Sequence, residues 1–100
     1  MEPVAALFEA TWNASEHEKV KAFVAESERP SRWATFDRIT RKYKWQETLP
    51  RASDRRLERH NDSQWLSFHE LEGYGEIRIW WEWEHPKWVI VRWQFKKIAD

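Results

Sequence analysis

The C-terminal third of the chain alternates apolar and polar side chains with a period of two. This pattern is typical of β-strands that bury one face, and its apolar members are mostly β-branched or aromatic residues. Two turn signals divide it into three strands that pair as an antiparallel meander, at residues 64–71, 76–84 and 88–97. Gly73-Tyr74 is the first turn, since a two-residue hairpin favours glycine at its first position. The second turn lies at His85-Pro86-Lys87, where a three-residue loop keeps the apolar residues on one face.

The register that follows sorts the strands into two faces. It pairs Phe68 with Ile79, and Ile79 with Trp93 on its other side. The inner face is predicted to contain Leu66, Phe68, Ile77, Ile79, Trp81, Trp83, Val89, Val91, Trp93 and Phe95. The outer face is predicted to contain Trp65, Ser67, His69, Leu71, Arg78, Trp80, Glu82, Trp88, Ile90, Arg92 and Gln94. Trp80 is placed opposite Arg92, which permits a cation–π contact.

The N-terminal half carries apolar residues at helical spacing and predicts three helices, at residues 3–12, 16–27 and 32–45. Ser15 and Glu18 form a capping-box pattern that starts the second helix. Pro30 ends that helix, because the residue before a proline disfavours the helical conformation, and Ser31 caps the third helix. The predicted buried positions of the first and third helices are Val4, Leu7, Phe8 and Thr11, and Trp33, Phe36, Ile39, Thr40 and Tyr43.

Residues 46–63 are polar and include Pro50, so they predict a long connection between the helices and the sheet. The expected fold class is α+β, with two to three N-terminal helices packed on one face of a C-terminal three-stranded antiparallel sheet. At a length of 100 residues, the chain is expected to form a single domain over residues 1–100.

Composition narrows the class of protein. Nine of the 100 residues are tryptophan and 34% are charged, which favours a folded domain with a solvated surface. The absence of cysteine excludes disulfide scaffolds, thiolate zinc sites and cysteine nucleophiles. The N-terminal residues lack the basic and apolar blocks of a signal peptide, and no stretch is apolar enough for a membrane span. We therefore expect a soluble, cytoplasmic protein.

The chain shows no pattern that indicates catalysis. The four histidines, His17, His60, His69 and His85, lack the helical spacing of a zinc-binding pair. No activated nucleophile is visible, and two glycines are too few for a phosphate-binding loop. These observations predict a protein that is not an enzyme and that uses no metal, no cofactor and no small-molecule substrate.

The tryptophans of the predicted outer face favour a protein-binding function. Exposed apolar patches mark interaction sites, and tryptophan and arginine are favoured at interface hot spots. The candidate protein-binding residues are Trp65, His69, Arg78, Trp80, Glu82, Trp88, Ile90 and Arg92. Homodimerisation through this face is the simplest version, and docking on another protein is the one we prefer. Size and composition suggest, by analogy only, an inhibitor, antitoxin, immunity protein or phage-encoded anti-defence protein.

Charge distribution supports a second hypothesis, nucleic-acid binding. Residues 29–60 contain ten basic against four acidic residues, a net charge of +6, between acidic flanks in a chain of net charge +0. The second and third predicted helices then form a helix-turn-helix. The candidate phosphate- or base-contacting residues are Arg38, Arg41, Lys42, Arg51, Arg55, Arg56 and Arg59. A third, weaker hypothesis is carbohydrate or small-ligand binding on the tryptophan face, although such sites are usually concave.

Overall fold

The computed structural model describes residues 1–98, and it is an α+β fold in which helices precede an antiparallel sheet, as predicted. The helices are α1 (Glu2–Asn13), α2 (His17–Ala22) and α3 (Arg29–Lys42), with a 3-10 turn at Glu26–Glu28 before α3. The strands are β1 (Ala52–Asn61), β2 (Gln64–Leu71), β3 (Gly75–Glu84) and β4 (Lys87–Lys97), hydrogen-bonded in that order. Within the described chain, no helix has the length and apolar character needed to span a membrane.

The fourth strand corrects the prediction of a long connection at residues 46–63. β1 pairs with β2 along most of its length, and a bulge between Ser53 and Arg56 leaves Asp54 in the left-handed conformation with φ of 48°. Its sequence hides the strand because most of its positions are charged or polar and Leu57 is its only large apolar residue. Charged residues suit a strand at the edge of a sheet, where they oppose pairing with other chains.

The turn between β2 and β3 is one residue longer than predicted, and this reverses the faces of β2. Leu71 pairs with Gly75, so Glu72, Gly73 and Tyr74 form the turn, with φ of 76° at Gly73. Tyr74 is buried against Tyr43 and Trp45, which favours the longer loop. Consequently Phe68 pairs with Arg78 instead of Ile79. A one-residue slip moves every side chain of a strand to the other face.

The turn between β3 and β4 is one residue shorter than predicted, since Glu84 pairs with Lys87. A bulge next to Trp81 then adds one residue to β4 and restores the predicted pairing of Ile79 with Trp93 farther along. Before this bulge, Trp88 and Ile90 occupy the inward positions that the prediction assigned to Val89 and Val91. The pairing of Trp80 with Arg92 is confirmed.

Helix boundaries also differ from the prediction around α2. Residues 23–25 leave the helix and pair with the edge of β4, where Ala25 N donates to Ile90 O at 2.8 Å and Ile90 N donates to Phe23 O at 2.8 Å. Ser15 forms no capping box, because its Oγ accepts a hydrogen bond from Leu49 N. Pro30 lies in the first turn of α3 and begins that helix, so Ser31 is not its N-cap.

The core lies between the helices and the inner face of the sheet. Phe8 of α1 packs edge-on against Trp81, and Phe36 of α3 packs against Trp93. The buried positions of α1 are Ala5, Phe8, Glu9 and Trp12. This face is rotated relative to the predicted one because it buries Trp12, whose Nε1 donates to Pro50 O at 2.6 Å.

Candidate functional site

The reversed faces of β2 and the shorter turn between β3 and β4 place half of the predicted protein-binding residues on the inner side of the sheet. Trp65 and Trp88 pack against the core, and His69 and Ile90 are fully buried. Their predicted outer-face placement is therefore wrong. The predicted site residues that do lie on the outer face are Arg78, Trp80, Glu82 and Arg92. Leu66 and Phe68, which were predicted to be internal, join them there.

On the outer face, arginine side chains cover the apolar residues. The guanidinium of Arg56 lies 4.1 Å from the ring centre of Phe68, and that of Arg92 lies 4.5 Å from Trp80. Arg78 approaches Phe68 from the other side at 5.7 Å. Phe68 is consequently only 8% exposed, although the helices that cover Trp81 and Trp93 pack on the opposite face. Cation–π contacts thus replace a second layer of structure here.

On the inner face, a chain of polar groups crosses the core. Trp81 Nε1 donates to Ser67 Oγ at 2.8 Å, and Ser67 Oγ lies 3.0 Å from His69 Nε2. His69 Nδ1 lies 2.8 Å from a carboxylate oxygen of Glu9, whose other oxygen accepts from Arg55 at 2.9 Å. Burial lowers the pKa of His69, which keeps the ring neutral, with Nδ1 donating to Glu9 and Nε2 accepting from Ser67.

This order of serine, histidine and glutamate is also that of a hydrolytic triad. Ser67 and His69 are both 0% exposed, so no substrate carbonyl can approach the hydroxyl. Ser67 already accepts from Trp81, and every buried side-chain polar atom within residues 1–98 has a hydrogen-bond partner. We therefore infer that these hydrogen-bonded polar side chains serve to hold α1 on the sheet. The absence of enzymatic activity stays a prediction.

The predicted nucleic-acid-binding residues do not form one surface. Arg38, Arg41 and Lys42 are exposed on α3. Arg56 lies on the opposite side of the sheet, over Phe68. Arg51 is exposed just before β1.

Two of these arginines already have carboxylate partners. Arg55 contacts Glu2 at 2.6 Å as well as Glu9, and the hydrogen bond to Glu2 raises the pKa of Arg55. Arg59 pairs with Asp62 beside the turn between β1 and β2. The positive charge of residues 29–60 is therefore partly neutralised and distributed over both sides of the molecule.

Two of the three exposed large apolar side chains in residues 1–98 identify a different surface, and the third, Ile98, lies just after β4. Leu7 of α1 is 59% exposed and Trp83 of β3 is 41% exposed, and both line one groove. The groove has a volume of about 450 Å³. Its lining consists of Val4, Leu7, Lys19, Ala22, Phe23, Trp83, Pro86, Lys87, Trp88 and Val89. We call this the hairpin groove, because the end of the β3–β4 hairpin forms one wall and α1 and α2 form the other.

The hairpin groove results from two features of the fold. The rotation that buries Phe8 and Trp12 turns Leu7 outward. The β3–β4 hairpin places Trp83 opposite Trp88, with ring centres 5.4 Å apart, where the helices cover the sheet only in part. Phe23 closes the floor by packing against Phe8 and Trp81.

The charged residues that line the hairpin groove are both lysines. Lys19 forms an ion pair with Glu16 at 2.8 Å, and the hydrogen bond that it donates to that carboxylate raises the pKa of Lys19. Lys87 lies in the hairpin at the other wall. Because Glu16 offsets the charge of Lys19, Lys87 provides the positive charge that suits an apolar segment with an acidic residue.

Sequence reasoning missed the hairpin groove because it assigned Leu7 and Trp83 to the core. Both satisfy the spacing of their helix or strand, and spacing does not reveal where the opposing layer ends. Trp83 lies one residue from the end of β3 and beside Pro86. A bulky aromatic residue in that position was the available signal.

No group of three or more histidine, cysteine or acidic side chains that could hold a metal ion occurs in the described part of the chain. Comparison with protein-family models, with curated proteins and with solved structures finds no match to this chain.

Proposed function

We propose that this chain is a non-enzymatic binding module that docks stoichiometrically on a protein partner through the hairpin groove. The observation that carries the proposal is the presence of two exposed apolar side chains, Leu7 and Trp83, in one apolar groove. Scattered exposed apolar residues are ordinary on protein surfaces, whereas contiguous ones indicate an interaction site. Tryptophan in a partly formed pocket is also the side chain most often found at interface hot spots.

The chemistry of the hairpin groove favours a peptide segment of a partner protein. The walls come from two helices and a hairpin, which leaves an open trough of the kind that an amphipathic helix fills. Lys87 favours an acidic residue beside the apolar anchors of that segment, whereas Glu16 already offsets the charge of Lys19. An inhibitor, antitoxin, immunity or anti-defence role is consistent with this mode of action, and it rests on analogy of size and composition.

A capture experiment with matched variants tests the proposal. The tagged protein, Leu7→Ser, Trp83→Ser and Ile98→Ser are each used to capture proteins from a lysate of the native source. Ile98 is the matched control because it is 64% exposed and lines a pocket at the end of the outer face, away from the hairpin groove. We expect one protein to be retained by the wild type and by Ile98→Ser and lost from both groove variants, with all melting temperatures nearly equal.

Two results would contradict the proposal. Equal capture by all four proteins would remove the hairpin groove as the docking site. Capture that is abolished by nuclease, or that is lost steeply as salt rises, would favour the nucleic-acid alternative. In that case Arg41→Glu, a change on the exposed side of α3, is expected to weaken binding more than Leu7→Ser does.

A further inference from the structure

The outer face of the sheet is a second surface that the proposed docking does not use. The helices and the hairpin groove lie on the inner side, so the outer face remains available when a partner occupies the groove. Its cross-strand rows follow from the pairing of the strands. One row contains Glu58, Leu66, Trp80 and Arg92, and the next contains Arg56, Phe68, Arg78 and Gln94.

We infer that two copies of this chain associate through their outer faces, related by a twofold axis that runs parallel to the strands between β2 and β3. Such an axis places β1 of one copy over β4 of the other, and β2 over β3, while each cross-strand row meets its own equivalent. Sheets pack face to face with nearly aligned strands in this way. An interface with twofold symmetry must be complementary to itself.

Charge complementarity supports this particular axis. Glu58 at one end of its row meets Arg92 at the other end of the same row in the second copy, and the pair occurs twice. Between these pairs, Leu66 of each copy meets Trp80 of the other. The apolar centre is therefore flanked by two ion pairs, an arrangement typical of specific interfaces.

The neighbouring rows are compatible with the same axis. Arg56 meets Gln94, and Phe68 meets Arg78, whose guanidinium already lies beside a phenylalanine ring within its own copy. Like charges meet only at the end of the sheet, where Glu70 faces Glu76, next to Lys96. A position at the rim weakens that repulsion because solvent screens it.

The size of the face indicates a reversible dimer. Strands with a rise of about 3.3 Å per residue and a spacing of about 4.8 Å give four strands of about eight residues roughly 500 Å² in each copy. Two copies bury roughly 1,000 Å² in total, which is the lower end of the range for specific interfaces. Association is therefore expected to depend on concentration, and the dimer presents two hairpin grooves that can bind a multivalent partner together.

Reversing the charges of Glu58 and Arg92, one at a time and together, tests the inference. Sedimentation velocity over a wide concentration range gives the dimer dissociation constant of the wild type, Arg92→Glu, Glu58→Arg and the double variant. Arg38→Glu is the control, because it reverses an equivalent exposed charge on α3. We expect the wild-type mass to rise above the monomer value of 12.3 kDa. Each single reversal should weaken the dimer at least about tenfold, and the double variant should recover most of that loss.

Each other result overturns the inference. A wild-type protein that stays monomeric at all concentrations removes the dimer. A dimer that is insensitive to either single reversal uses another surface, and the same conclusion follows if Arg38→Glu weakens it equally. Weakening by both single variants without recovery in the double variant contradicts the proposed axis. Since Leu7→Ser leaves this face intact, failure of partner capture and failure of dimerisation are measured separately.

Discussion

Both faces of the sheet carry large aromatic side chains, but these side chains are covered from solvent in different ways. On the inner face, Trp81 and Trp93 lie under the helices, and their indole N–H groups donate to Ser67 Oγ and to Arg32 O. On the outer face, Phe68 and Trp80 lie under guanidinium groups instead. The inner face is closed by packing that is fixed in the fold. The outer face is closed by long side chains, which can reorient when another surface approaches.

Aromatic content alone therefore does not locate a binding surface on this protein. Tryptophans occur inside the core, under arginines and in the hairpin groove, and each environment gives the same residue type a different role. Substitutions in these environments are therefore expected to change the free energy of unfolding by different amounts.

The largest expected difference is between two adjacent tryptophans. Trp81→Ala leaves a cavity in the core and removes the donor to Ser67, so it should lower the free energy of unfolding by about 3–5 kcal/mol. Trp80→Ala removes a side chain from the outer face and should lower the free energy of unfolding by less than half as much. Urea unfolding followed by circular dichroism measures both. Equal losses of unfolding free energy would show that the two tryptophans contribute equally to stability.

The buried polar chain gives the next largest effect. His69→Gln leaves one carboxylate oxygen of Glu9 and the hydroxyl hydrogen of Ser67 without a well-placed partner, and the free energy of unfolding should fall by about 1–3 kcal/mol at neutral pH. His60→Gln, at an exposed position on β1, is the matched control and should be nearly neutral. A neutral His69→Gln variant would contradict the assignment of this chain of polar groups to holding α1.

The same histidine makes stability depend on pH. Burial lowers the pKa of His69 in the folded protein below the value of about 6.5 expected for the unfolded chain. Between these two values the unfolded state binds more protons, so the contribution of His69 to stability is fully present above about pH 6.5 and is lost as the pH falls below it. Unfolding curves at a series of pH values should show a smaller decrease for His69→Gln than for the wild type. Identical slopes would show that His69 does not titrate differently in the folded state.

The smallest expected effect concerns the cover of the outer face. Arg56→Ala removes the guanidinium over Phe68 and should cost about 0.5–1 kcal/mol, whereas Arg38→Ala on α3 should have no measurable effect. Thermal unfolding of both variants against the wild type checks this. A loss as large as that of Trp81→Ala would mean that Arg56 belongs to the core.

Local patterns predicted the elements of this fold better than they predicted its faces. The alternation of β2, β3 and β4 gave strand ends within one residue of those in the structure, because bulky residues and turn residues mark strands directly. β1 was missed because an edge strand needs no apolar residues of its own. The face of β2 was wrong because the loop length depends on the burial of Tyr74, a tertiary contact.

The candidate site shows the same limit of local patterns. The contact between Trp80 and Arg92 follows from pairing and was predicted. The hairpin groove depends on how α1 is rotated about its axis, and Trp12 and the Glu9–His69 pair determine that rotation. Both are contacts between residues far apart in the chain, and spacing along the sequence does not report them.

Site-specific crosslinking tests docking through the hairpin groove most directly. A photoreactive amino acid replaces Leu7 in one protein and Ile98 in a second, and both are irradiated in a lysate of the native source. We expect one discrete crosslinked protein from position 7 and no such product from position 98. An excess of the unmodified chain should abolish the crosslink from position 7. No adduct from position 7, or the same adduct from both positions, would contradict it.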